Sequence, residues 1–360
     1  MQILCHHDNM KKISAYIIAA ILLCASCTSG DRYITFSGYA QGGTYTVKLN
    51  LKGVTEKPEI IRDSVEVLLS QIDNSLSGYN KGSILSRFNS GETVIPDSLF
   101  LDIYSHAYGI YGKTNGLVDA ASGPLFDLWG FGFKSGDMPT DEEVYHAVAT
   151  SGMKRLQPDM HPILASDGSL DPKSLLKAEI TDETLPKLNY NAIAQGYSCD
   201  VVARYLYSIG VKDMMVDIGE IFCDGVNPSG QPWTLGIDRP VDGNNEIGAN
   251  IQGIFRVPSG PHGVVTSGNY RKFYVKGGRK YAHTINPQTG YPVEHYLLSA
   301  TIVAPDAMMA DAYATYCMVI GLEAAQQFIE SDPNLGGCLI YDDHGVFASW
   351  TSSGFTLETL

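Results

Sequence analysis

Basic residues are scarce in this chain of 360 residues. It has 25 lysines and arginines against 39 aspartates and glutamates, and its formal net charge is −14. No run of basic residues is present to neutralise a phosphate backbone, which nucleic-acid binding requires. The composition therefore argues against a nucleic-acid partner. A phosphorylated ligand of such an acidic protein is expected to bind through a cation or through backbone amides.

Cysteine pairs with the spacing of a metal site are also missing. The four cysteines after residue 27 lie far apart in the sequence, at Cys199, Cys223, Cys317 and Cys338. Buried free thiols are the favoured interpretation, although a structural disulfide stays open. Internal repeats and low-complexity tracts are absent as well. Residues 28–360 are therefore predicted to form one large domain, or two intertwined ones, with a sizeable core.

The apolar run near the N-terminus, Ile13–Leu23, is too short to span a bilayer as a helix. Lys11 and Lys12 precede it, and small residues lead from it to Cys27. This order is typical of a secretory signal, and a cysteine at the cleavage point indicates a bacterial lipoprotein. We therefore predict a lipoprotein signal peptide over residues 1–27, with Cys27 acylated after cleavage.

The predicted acyl group would anchor the mature domain to a membrane outside the cytoplasm. The periplasmic face of a bacterial inner membrane is the expected location, while the sequence leaves open which membrane carries the anchor. Translation could begin at Met1 or at Met10, because Met10 directly precedes the two lysines. The alternative interpretation of the segment is an uncleaved anchor or a buried helix.

Apolar periodicity predicts helices and strands along the rest of the chain. Helices are predicted at residues 58–76, 97–111, 141–150, 192–209, 307–320 and 322–331. Strands are predicted within residues 32–50, 162–180, 214–225, 232–240, 253–260, 263–268, 271–285 and 297–305, with a final pair that turns at 342–345. Hairpin turns are expected at Gly42-Gly43 and Gly277-Gly278. Since strands mostly follow strands, the predicted fold class is α+β, with mainly antiparallel sheets and flanking helices.

A helix with a carboxylate and a hydroxyl on one face is the first candidate for chemistry. Asp311 and Thr315 are four residues apart, so their side chains lie one above the other. Mg²⁺ prefers oxygen ligands of this kind and usually completes its shell with waters and substrate phosphates. The alternative is an aspartate that interacts with the helix dipole and a threonine that bonds to a backbone carbonyl.

Three other stretches are polar or aromatic without the periodicity of a buried element. Residues 188–200 introduce a helix whose first N–H groups are a candidate anion site. Residues 115–132 are rich in glycine and aromatic rings, with a turn predicted at Gly123-Pro124, and would form an aromatic core or contact a planar ligand. Residues 279–293 form a polar, sharply turned segment of the kind that often carries function.

Nine short motifs occur in one order along the chain, and each is unusual by itself. They are GGT (42–44), SGYNKGSILSRFN (77–89), DAASGPLFDLWGFG (119–132), AIAQGYSCD (192–200), VDIGEI (216–221), PWTLGI (232–237), VTSGNYR (265–271), HTINPQTG (283–290) and ADAYAT (310–315). In this order they resemble the ApbE family of FAD:protein FMN transferases, over nearly all of the chain after the signal. The resemblance implies the T-shaped flavin transferase fold of that family, over residues 28–360.

The resemblance also implies a Mg²⁺-dependent enzyme with FAD as its substrate. It would transfer FMN to a Ser or Thr hydroxyl of an acceptor protein, expected to be a flavoprotein of electron-transport type, and release AMP. Two alternatives would use the same site: an FAD pyrophosphatase with water as the acceptor, and a lipoprotein that binds FAD without catalysis. Phosphoryl-type transfer depends mainly on positioning and charge neutralisation, which one cation and amide donors can provide.

The family's functional positions can be carried over motif by motif. FAD would contact Gly42, Tyr79, Leu117, Val118, Asp119, Asn189, Gln195 and Ile285. The metal would be bound by Asp311, Thr315 and the main chain around Ala192, with Ala314 beside them. His283 would be the general base for the acceptor hydroxyl, because a neutral histidine accepts a proton near pH 7. The alternative for His283 is a structural role in the turn.

This chain departs from the family pattern at several of these positions. Asn189 and Asn286 stand where family members commonly carry Asp, and Gln195 stands where Lys or Glu is common. Glu220 replaces a second glycine in the VDIGE motif. The loss of two carboxylates near the metal predicts weaker Mg²⁺ binding or a changed pH dependence. It would also be expected of a flavin-binding relative that has lost transfer.

Overall fold

A computed structural model describes residues 32–131, 138–182, 184–241, 244, 248–270, 273–276 and 279–359. The predicted signal peptide, the acylation site Cys27 and the predicted turn at Gly277-Gly278 lie outside these ranges. Among the helices within them, none is both long enough and apolar enough to cross a membrane.

A large antiparallel sheet of eight strands organises the fold. In spatial order its strands are β1 (Tyr33–Ala40), β2 (Gly43–Asn50), β3 (Met214–Asp217), β4 (Ile221–Asp224), β7 (His262–Gly268), β10 (Leu297–Ala304), β11 (Gly336–Asp343) and β12 (Val346–Thr351). A second antiparallel sheet comprises β5 (Thr234–Asp238), β6 (Ile251–Arg256) and β13 (Glu358–Thr359), and a hairpin pairs β8 (Phe273–Lys276) with β9 (Arg279–Ala282). The predicted class, α+β with mainly antiparallel sheets, is confirmed.

Helices separate the strands into groups along the chain. They are α1 (Pro58–Leu76), α2 (Ile84–Asn89), α3 (Ser98–Lys113), α4 (Gly123–Leu128), α5 (Asp141–Thr150), α6 (Ala194–Ser208), α7 (Ala307–Ile320) and α8 (Leu322–Ser331). Local chemistry explains their starts. Pro58 opens α1, where a missing N–H has no cost. Asp97 caps α3 by accepting a hydrogen bond from the N–H of Phe100 (2.8 Å).

Alternation along the strands decides which side chain faces which layer. In β10, Ile302 packs in the core under α7 and α8, whereas Val303 packs towards the three-stranded sheet. In β4, Phe222 packs in the core under α1 and α6, whereas Cys223 packs towards the three-stranded sheet. Helices therefore cover one face of the large sheet, and the small sheet covers the other.

Two predictions about secondary structure are wrong. Residues 162–180 were expected to form strands, but they form short 3₁₀ helices, His161–Ile163 and Pro172–Leu175, with isolated bridges. A proline in the first turn of each favours this outcome. The turn expected at Gly123-Pro124 is the start of α4, because proline is also well suited to the first turn of a helix.

Two other sequence interpretations are confirmed. The cysteines in the described part of the chain are buried and free: Cys199, Cys223, Cys317 and Cys338. The aromatic stretch within α4 and directly after it belongs to a small core, in which Trp129 packs with Leu125, Val144 and Ile285. Phe126 from the same stretch lines a cleft, so this segment serves both as core and as the wall of a cavity.

Candidate active site

Helix α7 carries the predicted metal pair. Asp306 caps the helix, because its side chain accepts a hydrogen bond from the N–H of Met309 (2.7 Å). Ala314 is fully buried, as a small residue must be where a helix packs closely against its neighbours. Asp311 and Thr315 follow one turn apart on one side of the helix. Asp311 is only 4 % exposed, whereas Thr315 lines an open cleft.

The cleft encloses about 820 Å³ when the open space at its mouth is included. Its walls come from residues 117–126, 189–193, 283–287 and 315–319, together with part of α3. Most of the predicted site residues line it: Leu117, Val118, Asp119, Asn189, Ala192, His283, Ile285 and Thr315. The fold thus brings together segments that are far apart in the sequence.

The other predicted residues do not line this cleft. Asp311 and Ala314 are buried inside the protein. The side-chain amide of Gln195 donates a hydrogen bond to a backbone carbonyl of the β3–β4 connection (3.2 Å). Gly42 lies in the turn between β1 and β2, and Tyr79 is 71 % exposed on the loop after α1. Gly42, Tyr79 and Gln195 can therefore make their predicted contacts with FAD only if the bound FAD extends beyond the cleft.

Several cleft residues were missed by sequence reasoning. Ser267 at the end of β7, Thr284, and Asn191 all line the cavity with polar groups. Each lies inside or beside a quoted motif, VTSGNYR, HTINPQTG or AIAQGYSCD, so the motifs marked the correct segments. The individual residues were missed because side-chain direction depends on the strand ends and turns that the sequence does not show.

Asp119 holds one wall of the cleft in place. Its Oδ1 accepts hydrogen bonds from the N–H groups of Ala121 (2.8 Å) and Met153 (3.0 Å). The carboxylate therefore joins the loop before α4 to the segment after α5. Burial raises the pKa of Asp119 to about 6, although these two hydrogen bonds oppose the shift.

The turn that follows β9 is rigid despite its polar sequence. The Oδ1 atom of Asn286 accepts the N–H of Gln288 (2.9 Å), and the N–H of Gly290 donates to the carbonyl of Asn286 (2.8 Å). Gly290 has a positive φ of 78°, and a Cβ there would lie 2.6 Å from Val144. Only glycine fits this close approach. Asn286 thus uses its side chain within the turn.

Aromatic side chains hold this turn against the α4–α5 region. The indole N–H of Trp129 donates a hydrogen bond to the carbonyl of Gly290 (2.7 Å), and its ring stacks on Tyr281 (5.9 Å between centroids). Phe131 meets the imidazole of His283 edge to face, with 6.4 Å between ring centroids. The ring of Phe131 therefore limits the orientations of the His283 imidazole, and the backbone of His283 continues directly into the turn.

Asp311 is held at the start of α6. Its Oδ2 accepts the N–H of Gly196 (3.3 Å), so one of the N–H groups considered as an anion site already bonds to a carboxylate. Burial raises the pKa of Asp311 well above its usual range, and the nearby Asp200 adds to this shift. A bound cation would counteract the shift by stabilising the ionised form.

The candidate metal ligands are all oxygen atoms, which a hard cation prefers. No group of three or more His, Cys, Asp and Glu side chains in the described ranges could hold a metal ion. A cation here would instead be bound by the Asp311 carboxylate, the Thr315 hydroxyl and main-chain oxygens around Ala192. Mg²⁺ is usually bound in this way, through one or two carboxylates with waters and substrate phosphates.

The sequence model of the ApbE family matches residues 41–339. The chain belongs to the ApbE family. Five of its nine motifs contribute residues that line the cleft, those at 119–132, 192–200, 265–271, 283–290 and 310–315. The architecture is also that of the ApbE family, because solved ApbE structures superpose over about nine tenths of the chain.

Curated relatives and solved structures extend this similarity. The FAD:protein FMN transferase of Haemophilus influenzae is 32% identical over 358 residues, covering 96% of this chain and 98% of the relative. The FAD:protein FMN transferase of Vibrio cholerae is 30% identical over 347 residues, covering 94% of this chain and 96% of the relative. The structure of the flavin transferase ApbE from Vibrio cholerae has a TM-score of 0.71 at 30% identity, covering 90% of this chain and 98% of that one. The apo structure of the flavinyl transferase ApbE from Pseudomonas stutzeri has a TM-score of 0.74 at 28% identity, covering 90% of this chain and 95% of that one.

Proposed function

We propose that this protein is an FAD:protein FMN transferase, which moves FMN from FAD to a Ser or Thr hydroxyl of an acceptor protein and releases AMP. The observation that carries the proposal is a single cleft lined by the apolar Val118 and Ile285, the Thr315 hydroxyl and the His283 imidazole. Family membership and near full-length similarity to curated transferases support it.

FAD combines planar rings with a diphosphate, and the cleft offers groups suited to both. Val118, Phe126 and Ile285 line it with apolar surface on which a planar ring can pack. Asp311, Thr315 and the main chain around Ala192 would hold Mg²⁺ beside the diphosphate. When bound, Mg²⁺ would neutralise the negative charge of the phosphate oxygens during transfer.

His283 would act as the general base. The imidazole accepts the proton of the acceptor hydroxyl, and the hydroxyl oxygen forms a bond to the phosphorus of the FMN half of FAD. The bond between that phosphorus and the bridging oxygen breaks, so AMP leaves with the bridging oxygen. Contact with Phe131 limits the orientations of the imidazole, which supports this role because proton transfer requires close alignment.

We further propose that transfer takes place outside the cytoplasm at a membrane surface. The predicted lipoprotein signal that ends at Cys27 is the motive. An acceptor of electron-transport type would be held at the same membrane. Confinement of both proteins to one surface raises their effective concentration, so weak contacts between them would be sufficient.

Incubation of the protein with FAD and Mg²⁺, with and without an acceptor domain, tests the proposed function. AMP and covalently bound flavin should appear together, and both should require the acceptor. A matched acceptor variant with Ala in place of the target Ser or Thr should remain unlabelled. AMP and free FMN in the absence of acceptor would indicate a pyrophosphatase instead, and FAD binding without AMP would indicate a flavin carrier.

A further inference from the structure

Helices α6 and α7 bind each other's N-termini through two buried carboxylates. Asp200 on α6 accepts the N–H of Ala307 through Oδ1 (2.9 Å) and the N–H of Met308 through Oδ2 (2.9 Å). Asp311 on α7 accepts the N–H of Gly196 (3.3 Å) in the first turn of α6. A carboxylate at a helix N-terminus satisfies free N–H groups and interacts favourably with the helix dipole.

The start of α7 has no room to move sideways. A Cβ at Gly196 would collide with the carbonyl oxygen of Ala307. On the opposite side, a Cβ at Gly263 in β7 would collide with the Cα of Ala307. The first residue of α7 is therefore in backbone contact with both α6 and β7. Within this contact, Asp200 accepts two hydrogen bonds from the first two N–H groups of α7.

The candidate metal ligands lie on both sides of this contact. Asp311 and Thr315 follow one and two turns after Ala307 on a continuous helix, so a displacement at the helix start is transmitted to both. Ala192 lies two residues before α6, with the N-cap residue Ile193 between them. The distance between the ligands of α7 and the main chain at Ala192 therefore depends on how the two helices are joined.

We propose that Asp200 is a positioning residue for the cation site. Asp200 holds the ligands of α7 in register with the main chain before α6. This inference rests on the proposed Mg²⁺-dependent function. Asp200 is not among the residues that line the cleft, and it is 7 % exposed. Its effect on a cation must therefore act through the helices and not through direct contact.

Asp200→Asn is the most informative substitution. Asparagine has nearly the same shape, but only one of its two terminal groups accepts a hydrogen bond, and its NH₂ would face a backbone N–H of α7. One of the two bonds is lost and α7 shifts. Loss of a residue that orients metal ligands typically weakens metal binding by about 10–100-fold. We expect a weakening of this size for Asp200→Asn.

Asp306→Asn is the matched control. It also removes one negative charge from the start of α7, but Asp306 bonds within its own helix, to the N–H of Met309 (2.7 Å), and asparagine is an equally good cap. Mn²⁺ binding in the presence of ADP, followed by the loss of the free Mn²⁺ signal in electron paramagnetic resonance, reports on the site without turnover. FAD affinity without metal should be unchanged in both variants.

The positioning role requires that Asp200→Asn binds Mn²⁺ at least about tenfold more weakly than wild type and Asp306→Asn. Equal affinity in Asp200→Asn and wild type overturns it, and so does an equal loss in both variants. If Asp200→Asn does not fold, Asp200→Glu keeps both acceptors but pushes the helices apart, and the same loss of affinity is expected. Wild-type protein that binds no Mn²⁺ would refute the proposed metal-dependent function, and the positioning role with it.

Discussion

Replacement of Trp129 by Phe tests whether the rigid turn after β9 serves catalysis. The substitution removes the indole N–H that donates to the carbonyl of Gly290 (2.7 Å), and it leaves that buried acceptor without its donor. An unsatisfied buried polar group costs about 1–3 kcal/mol. The smaller ring also loses contacts with Tyr281, for roughly 1 kcal/mol more. We expect the free energy of unfolding to fall by about 2–4 kcal/mol.

The chain provides a closely matched control in Trp233. This residue is also 5 % exposed, and its indole N–H also donates to a backbone carbonyl, that of Asp224 (2.9 Å). Trp233 lies in the core between the two sheets and not beside the cleft. Trp233→Phe should therefore cost a similar free energy of unfolding without affecting the turn that carries His283.

Urea unfolding and AMP release with an acceptor domain separate the two effects. Both variants should unfold at lower urea concentration, but only Trp129→Phe should slow transfer, by about tenfold or more, because misplacement of a catalytic group by 1 Å can cost about 10²-fold. Equal transfer rates in the two variants, measured where both are folded, would show that the rigidity of the turn does not matter for catalysis.

Four further predictions concern the cleft, the cation and the anchor. Asp311→Ala should abolish transfer and raise the Mg²⁺ requirement, and Thr315→Val should do so more mildly, because a carboxylate supplies charge and a hydroxyl only a dipole. His283→Ala should slow AMP release by about 10²–10⁴-fold and leave FAD affinity nearly unchanged in a fluorescence titration. Asp119 has a raised pKa of about 6 against an ordinary 3.8, so the folded state binds more protons between these values. The free energy of unfolding should thus fall as pH rises from about 4 to 6, and Asp119→Asn should flatten this dependence in urea unfolding. A fatty-acid analogue should label wild type and not Cys27→Ala in cells.

Each of these has an outcome that contradicts it. Near wild-type activity of Asp311→Ala at ordinary Mg²⁺ would mean that the carboxylate serves only to cap α6. Loss of FAD affinity together with rate in His283→Ala would assign this histidine a structural role in the turn. An unchanged pH dependence in Asp119→Asn would show that this carboxyl titrates normally, and equal labelling of Cys27→Ala would remove the lipid anchor.

Local patterns in the sequence determined the features that depend on near neighbours. The apolar spacing of α1, α7 and α8, and the glycine turn between β1 and β2, are readable because helices and hairpins form from residues a few positions apart. The same reasoning gave Asp311 and Thr315 a common helix face. Motif order indicated the family, since nine unusual motifs in sequence are unlikely to arise by chance.

Tertiary structure alone decided which of these features meet. The cleft unites Val118 with His283 and Thr315, which come from segments far apart in the sequence. The position of β7 between β4 and β10 is likewise a long-range choice with no local signal. The bonds from Trp129 to Gly290 and from Asp200 to the start of α7 join segments more than a hundred residues apart. Such contacts depend on how helices and sheets pack in three dimensions, so periodicity and composition do not reveal them.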